Sequence, residues 1–377
     1  LVGSMSSSSS SRAVVEDVLI PEGYSCRQIF ELLEAKNICT VEELEEYAAN
    51  GEFQDFWFLE DVERGDKYCL EGYLFPDTYN FYTHDEPRRV LEKFLDEFDD
   101  RFTDKMQTQF EQMYYYRWWT IRKHIEKTSV GYAMTEFLVR RSYSDKYNLI
   151  ASGVGHHIHE SRWMRNPIYL DQAMNTWFHG NDGKPMKKIG NYSSWIAHSL
   201  WQRYLADGRK DWIVGMLSDL DWEFNQWDST HRLPNRLFWQ ADVQDAMEET
   251  ISGGRRKKYM RPSINSYMYG NAMALANISA LAGKDDMAKL YTQRADTIKN
   301  LILSTLWNEK HQFFETHRGD SSANVREAIG FMPWYVNMPM DDSKYGVAWL
   351  QAADKKGFSA PYGQTTAERR HPEFRTR

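Results

Sequence analysis

Three stretches of this 377-residue chain gather residues able to do chemistry. In Phe238-Trp239-Gln240-Ala241-Asp242-Val243-Gln244-Asp245-Ala246-Met247-Glu248, three carboxylates stand beside aromatic rings. Spacings of three put Asp242 with Asp245, and Asp245 with Glu248, on one helix face, where repulsion between neighbours raises one pKa towards that of a general acid. The same spacing also describes a solvated acidic helix start. In Leu70-Glu71-Gly72-Tyr73-Leu74-Phe75-Pro76-Asp77-Thr78-Tyr79, a single carboxylate interrupts an apolar and aromatic run. Desolvation in such a groove would raise Glu71 towards the range of a working acid; alternatively Glu71 caps a turn, with Pro76-Asp77 making the next one. In His156-His157-Ile158-His159-Glu160, two imidazoles and a carboxylate could bind zinc. The H-E-x-x-H spacing is missing, however, and Arg162-Trp163 directly afterwards suits a loop that contacts sugar.

Composition divides the chain that carries these groups. Up to Met113 there are 26 acidic against 10 basic residues, and afterwards 28 against 36, so a net charge of −16 gives way to one of +8. Cys26, Cys39 and Cys69 all precede the break, whereas 13 of the 14 tryptophans follow it. Such asymmetry points to two domains of separate origin. An odd number of cysteines, none in C-x-x-C, argues against a disulfide framework or a thiol metal site. Mean hydropathy is −0.68 and no run of 18 apolar residues occurs, so no membrane span is expected. Leu1-Val-Gly-Ser-Met5 and the six serines after it read as a tag remnant and flexible linker, residues 1–11, outside the fold.

The elements follow from periodicity and caps. In residues 12–113, Val14–Ile20 is a β-rich run, and Ser25 caps a helix carrying Ile29, Leu32 and Leu33 inward. Thr40 and Glu43 have capping-box spacing for a helix ending near Asn50-Gly51. A third helix, about Glu86 to Phe102, lines Val90, Phe94, Leu95 and Phe98 on one face. Beyond Met113, Ser263 caps a helix from Ile264 to Ala282, which Gly283 stops. Asp285 or Asp286 caps the return helix, whose inward residues are Met287, Leu290, Tyr291, Ala295, Ile298 and Ile302. Helices so closely joined pack antiparallel. A second pair runs through Trp195–Trp201 and Trp212–Leu217, and recurring helical hairpins with aromatic loops suggest an α/α toroid with a central funnel. Its tryptophans suit the apolar faces of pyranose rings; the mild positive charge forms no basic stripe, which disfavours nucleic acid.

Ile20-Pro21-Glu22-Gly23, a helix, and then the Leu70–Tyr79 motif together resemble the MltG/YceG-like endolytic murein transglycosylases over about residues 13–112. The resemblance implies non-hydrolytic cleavage of peptidoglycan glycan strands, with Glu71 as the catalytic glutamate. It would protonate the glycosidic oxygen and then act as base towards the sugar's own 6-hydroxyl, leaving an anhydro end.

A second resemblance spans residues 114–377. It rests on Tyr114-Tyr115-Tyr116-Arg117-Trp118-Trp119, Gly155–Trp163, Trp239–Glu248, Arg261–Tyr269 and Ala360–Arg369, which together are similar to glycosidases of the mannosylglycerate hydrolase and family 63 glucosidase kind. The resemblance implies a mainly α fold, a six-hairpin (α/α) toroid preceded by the small α+β module, and inverting cleavage of α-glycosidic bonds by an Asp acid and a distant Glu base. Inversion sets the two carboxylates roughly 6.5–9.5 Å apart, and neither a metal nor another cofactor is called for. The family's acid lies in a Trp-x-x-x-x-Asp-small pattern; Asp245-Ala246 fits it with a one-residue shift from Trp239, and Asp242 is the second candidate. Glu368 is the last carboxylate placed to be the base, although Ala-Glu-Arg-Arg also reads as a loop salt bridge, and the hairpins counted are too few to close the ring. Substrate contacts fall to Arg162, Trp163, His157, Glu160, Trp239, Gln240, Asn265, Tyr267 and Tyr362.

The expected function is therefore that of a glycosidase acting on an oligosaccharide. The alternatives are a murein transglycosylase acting through Glu71 on peptidoglycan, and an inactive joined chain that only binds carbohydrate. Both resemblances point to a bacterial envelope, periplasmic or extracellular setting.

Overall fold

A computed structural model describes residues 13–21, 23–53, 55–60 and 62–375. The expected tag and linker, and Glu22 of the first motif, lie outside the described residues. The chain divides into two compact units, Leu1–Arg117 and Trp118–Arg377. The division falls four residues beyond the break in composition at Met113, because a helix runs through that break.

In the first unit, strand β1 (Val14–Leu19) pairs antiparallel with β2 (Thr78–Tyr82), with an irregularity between Val15 and Val18. Helix α1 (Cys26–Ala35) starts at a capping box in which the Ser25 hydroxyl and Gln28 side chain satisfy each other's backbone amides. Helix α2 (Val41–Asn50) does the same with Thr40 and Glu43, and α3 (Pro87–Arg101) opens with proline at the first turn, where no amide is required. Ile29, Phe30 and Leu33 meet Leu44, Phe81, Val90, Phe94 and Leu95 in one core. Phe30 is fully buried in this core, whereas Leu32, expected to point inward, is half-buried. Helix α4 (Asp104–Lys123) follows.

The second unit opens with the hairpin of β3 (Ile125–Thr128) and β4 (Gly131–Met134). There follow α5 (Val154–Ser161), α6 (Ile168–His179), α7 (Ile196–Asp207), α8 (Lys210–Gly215), α9 (Leu217–His231), α10 (Pro262–Leu281) and α11 (Asp285–Leu301). Helix α10 is buried around nearly its whole circumference, which explains why its sequence is apolar or small on every face. Helices α7, α9 and α11 pack around it. Gly283, at φ +70°, turns the chain from α10 into α11 in a conformation that glycine adopts without strain.

Two expected caps are displaced. Pro262 occupies the first turn of α10, so Arg261 is the cap and Ser263 lies inside the helix, its hydroxyl free for another partner. Lys284 precedes α11, with Asp285 and Asp286 in its first turn, where carboxylates favour the helix dipole. Tyr291, Ala295 and Ile298 are buried as expected, but Leu290 is exposed because the stripe of contact with α10 is narrower than the apolar pattern. A four-stranded sheet runs in the order Ser321–Ser322, His317–Arg318, Tyr259–Met260, Trp239–Gln240, and delivers both Asp242 and Arg261 to the same end of α10.

Candidate active site

The acidic segment is not the helix its spacing suggested. Val243–Asp245 forms one tight turn, which Ala246 ends in the left-handed region at φ 57°. The two aspartates are brought together by a cation supplied from the start of α10. Arg261, fully buried, donates from Nη1 to Asp242 Oδ1 and from Nε to Asp245 Oδ2 at 2.7 Å. A guanidinium between the carboxylates offsets the mutual repulsion that the helical reading expected. Burial alone would lower the pKa of Arg261, but Asp245 and Asp242 beside it raise it. Glu248 does not join them and is exposed.

Each aspartate has further donors. Thr250 Oγ1 gives a 2.7 Å bond to Asp242 Oδ2, and the Ser263 hydroxyl donates to Asp245 Oδ2. Gly253 lies so close to Asp242 that a Cβ there would stand 1.9 Å from Oδ1, which excludes any side chain. Asp245 Oδ1 differs: it is buried and has no hydrogen-bond partner among the described residues. Buried carboxylate oxygens normally find donors, so this orphan beside a satisfied Oδ2 sets Asp245 apart from Asp242.

An aromatic wall stands next to Asp245. Trp195 stacks on Tyr267 with ring centroids 4.5 Å apart, and His156 and Tyr335 meet Trp195 edge-on at 4.9 and 6.1 Å. The Tyr267 phenol is pushed well above its ordinary pKa, first by burial and then by the Asp245 charge. His159 and His198 face Tyr335, and burial lowers each to about 4, so both are neutral imidazoles at neutral pH. His159 Nε2 and Arg162 Nε are also buried without a partner among the described residues. Trp195 is itself buried at 4% exposure, so these rings form a packed aromatic backing beside Asp245, with unpaired polar atoms around it.

The remaining sequence candidates are placed as follows. Trp163 is exposed, with the Arg162 guanidinium 4.9 Å above its ring. His157 lies 4.0 Å from Glu136, its pKa lowered to about 4 by burial, and Glu160 is half-buried. Trp239 stacks on His231 at 4.4 Å and has the Lys258 ammonium 4.1 Å from its ring centroid, so its ring is engaged within the protein. Gln240 is buried, its Oε1 accepting the Ala241 amide while Nε2 has no partner among the described residues. The Asn265 amide is fully used: it accepts from Phe238 N and donates to the carbonyls of Phe238 and Arg261. Asn265 thus joins sheet to helix rather than offering a free group. Tyr362 is fully exposed between the paired segments Ser359–Ala360 and Gly363–Gln364. Glu368 forms the loop salt bridges that its neighbours suggested, with Arg326 at 2.7 Å and Arg370 at 3.2 Å. Glu71 is exposed, not desolvated in a groove, and its Oε2 accepts the Cys26 amide at the start of α1 over 2.9 Å. Among the described residues no group of three His, Cys, Asp or Glu is placed to hold a metal ion.

Sequence reading missed the Trp195–Tyr335 wall, the role of Arg261, and one glutamate. Glu327 is buried, accepts the amides of Ile251 and Ser252 at Oε1 over 2.9 and 3.3 Å, and takes the Ser252 hydroxyl at Oε2. It lines a cavity of about 770 Å³ together with Met247, Thr250, Ile251 and Thr366. Burial raises its pKa above the ordinary carboxylate value, against the opposing effect of Ser252 and Arg261. Nothing local in Arg326-Glu327-Ala328 signals this, because its partners lie some 75 residues earlier.

A family model described as the mannosylglycerate hydrolase MGH1-like glycoside hydrolase domain matches residues 146–377, and one for the YceG-like family matches residues 2–129. A solved structure titled "Sialidase" is 64% identical with a TM-score of 0.70, covering 71% of this chain and 25% of its own. A GH63 mannosylglycerate hydrolase from Thermus thermophilus, solved with Tris, shares 11% identity at a TM-score of 0.50 over 68% of this chain and 80% of its own, and supports the fold as a mainly α toroid. Exoglucanase-2 of Thermoclostridium stercorarium is 26% identical over 191 residues, 49% of this chain. The chain spans only 18% of that relative's length.

Proposed function

The chain belongs to the mannosylglycerate hydrolase MGH1-like glycoside hydrolase family, and on that footing we propose that its second unit hydrolyses an α-glycosidic bond with inversion, Asp245 acting as acid and Glu327 as base. The observation that carries the reading is the unpartnered, buried Asp245 Oδ1 beside the Trp195–Tyr267 stack. A proton held on that oxygen leaves undisturbed the two bonds that Arg261 and Ser263 make to Oδ2, so the acid stays aimed while it gives the proton to the glycosidic oxygen. The Trp195–Tyr267 stack backs the sugar site, and the neutral imidazole of His159 with Arg162 supplies polar contacts to its hydroxyls. Glu327 has an Oε2 whose only donor among the described residues is Ser252, and it lines the cavity, where a water would be activated.

The test is product analysis on a panel of α-linked oligosaccharides that includes sialosides and glucosides. Wild-type protein releases a monosaccharide, and Asp245→Asn lowers the rate by roughly 10²–10⁴. Full activity in the variant would reject Asp245.

A second reading applies to the first unit, favoured by the exposure of Glu71 at the start of α1 and by the YceG-like match. It is a murein transglycosylase that leaves anhydro-ended muropeptides. Glu71→Gln abolishes those products and spares monosaccharide release; unchanged anhydro products, or only hydrolytic ones, would dismiss it.

A further inference from the structure

One buried carboxylate takes no part in the chemistry described. Glu223 on α9 is 1% exposed; its Oε1 accepts from Trp227 Nε1 at 2.9 Å and Ser194 Oγ at 3.2 Å, while Oε2 has no partner among the described residues. Ser194 belongs to the segment entering α7. That segment is held at three points: Ser193 N donates to Gln244 O at 2.9 Å, Ser194 Oγ reaches Glu223, and Ser194 O accepts from Asn271 Nδ2 at 3.3 Å. Asn271 also accepts the His198 amide at 3.1 Å, and it lies one turn beyond Tyr267 on α10. The next residue after Ser194 is Trp195, whose ring stacks on Tyr267, and the residue after Gln244 is Asp245.

We propose that Glu223 is a positioning residue: through Ser194 it fixes the Ser193–Trp195 segment, and so the Trp195–Tyr267 stack that backs the site beside Asp245. The inference rests on the glycosidase reading for its functional consequence, though not for its structural one. Asp245 has its own anchors in Arg261 and Ser263, so loss of Glu223 weakens substrate binding more than turnover.

Burial in an apolar environment raises Glu223 to about 7, so its charge changes near neutrality, and the segment should respond. Other ionisable groups surround this carboxyl and the Trp195 ring: on α5, His156 meets that ring edge-on and is lowered by burial, and His159 is lowered to about 4. His198 on α7 is lowered to about 4, and Tyr267, Tyr269 and Tyr291 on α10 and α11 are raised, each mainly by burial. Lys210 and Asp211 on α8 are exposed, and Arg294 on α11 bonds to Asn225. On α9 itself, His231 is lowered to about 4 by burial, Asp221 is bound by Tyr291, and Asp219 pairs with His179 of α6 at 2.9 Å. A Glu223→Gln control separates the response of this carboxyl from that of any other group.

The experiment uses the whole chain labelled with 5-fluorotryptophan, the Trp195 resonance being the one lost in Trp195→Phe. In wild type that resonance shifts between pH 6 and 8; in Glu223→Gln it is flat. Where activity is present, Glu223→Gln raises KM roughly five-fold and leaves kcat within about two-fold, the size expected from one disturbed hydrogen bond. Ser194→Ala, which keeps the carboxylate and removes its link, uncouples the resonance in the same way and serves if Glu223→Gln does not fold. A Trp195 resonance that ignores pH in wild type, or titrates unchanged in both variants, overturns the inference. Because the fluorine measurement needs no substrate, its failure is distinguishable from failure of the glycosidase reading.

Discussion

At the scale of single residues, the site depends on how protein donors are apportioned between carboxylates. Asp242 takes donors from Arg261 and Thr250, Asp245 has one oxygen without a partner among the described residues, and Glu327 is raised by burial while holding the Ile251–Ser252 backbone. A base must be ionised, and a raised pKa delays ionisation as pH climbs. The acidic limb of the kcat/KM profile should therefore lie above the ordinary glutamate range, and Glu327→Gln should lose that limb together with most activity. A limb at an unperturbed carboxylate value would show that another group is the base. Asp245 entered as a candidate through the family resemblance, which rests on a short local pattern. Its environment was not legible: Arg261 lies 16 residues away, and Glu327, whose carboxyl feels the Arg261 charge, lies still farther along the chain.

At the scale of elements, local rules served best where the element is self-contained. Both capping boxes of the first unit stand where Ser25 and Thr40 put them, since a cap is a contact three residues long. Thr40→Ala should cost about 1 kcal/mol, measured as a fall in the denaturation midpoint of the first unit without loss of its secondary structure at room temperature. No change would mean that the 3.2 Å bond to Glu43 N contributes nothing net. The acidic segment failed the same logic. Spacing of three is compatible with a helix, but Asp242 and Asp245 obtain better partners from Arg261 and Ser263 than a helix would give them, and tertiary bonds decided the conformation. Proline likewise overrode the Ser263 cap, as it needs no amide partner in the first turn.

At the scale of the whole molecule, two cores are separate: one built around Phe30, Phe81 and Phe94, the other around α10 with Trp177, Trp227 and Phe313. The shift of charge and tryptophan usage made this division legible, while the helix running through Met113 concealed where it falls. Separate cores predict separate unfolding. Phe30→Ala, expected to remove about 3–5 kcal/mol, should lower one calorimetric transition and leave the other in place; a single transition displaced as a unit would contradict it. A second unit that folds on its own core is also where the glycosidase claim must stand.

That claim is tested most directly by comparing Asp245→Asn with wild type on an α-linked oligosaccharide and on the corresponding glycosyl fluoride, whose leaving group departs without a proton. The account predicts a loss of roughly 10²–10⁴ in kcat/KM on the oligosaccharide and a rate near wild type on the fluoride. Equal losses on both substrates, or none on the oligosaccharide, would contradict Asp245 as the acid.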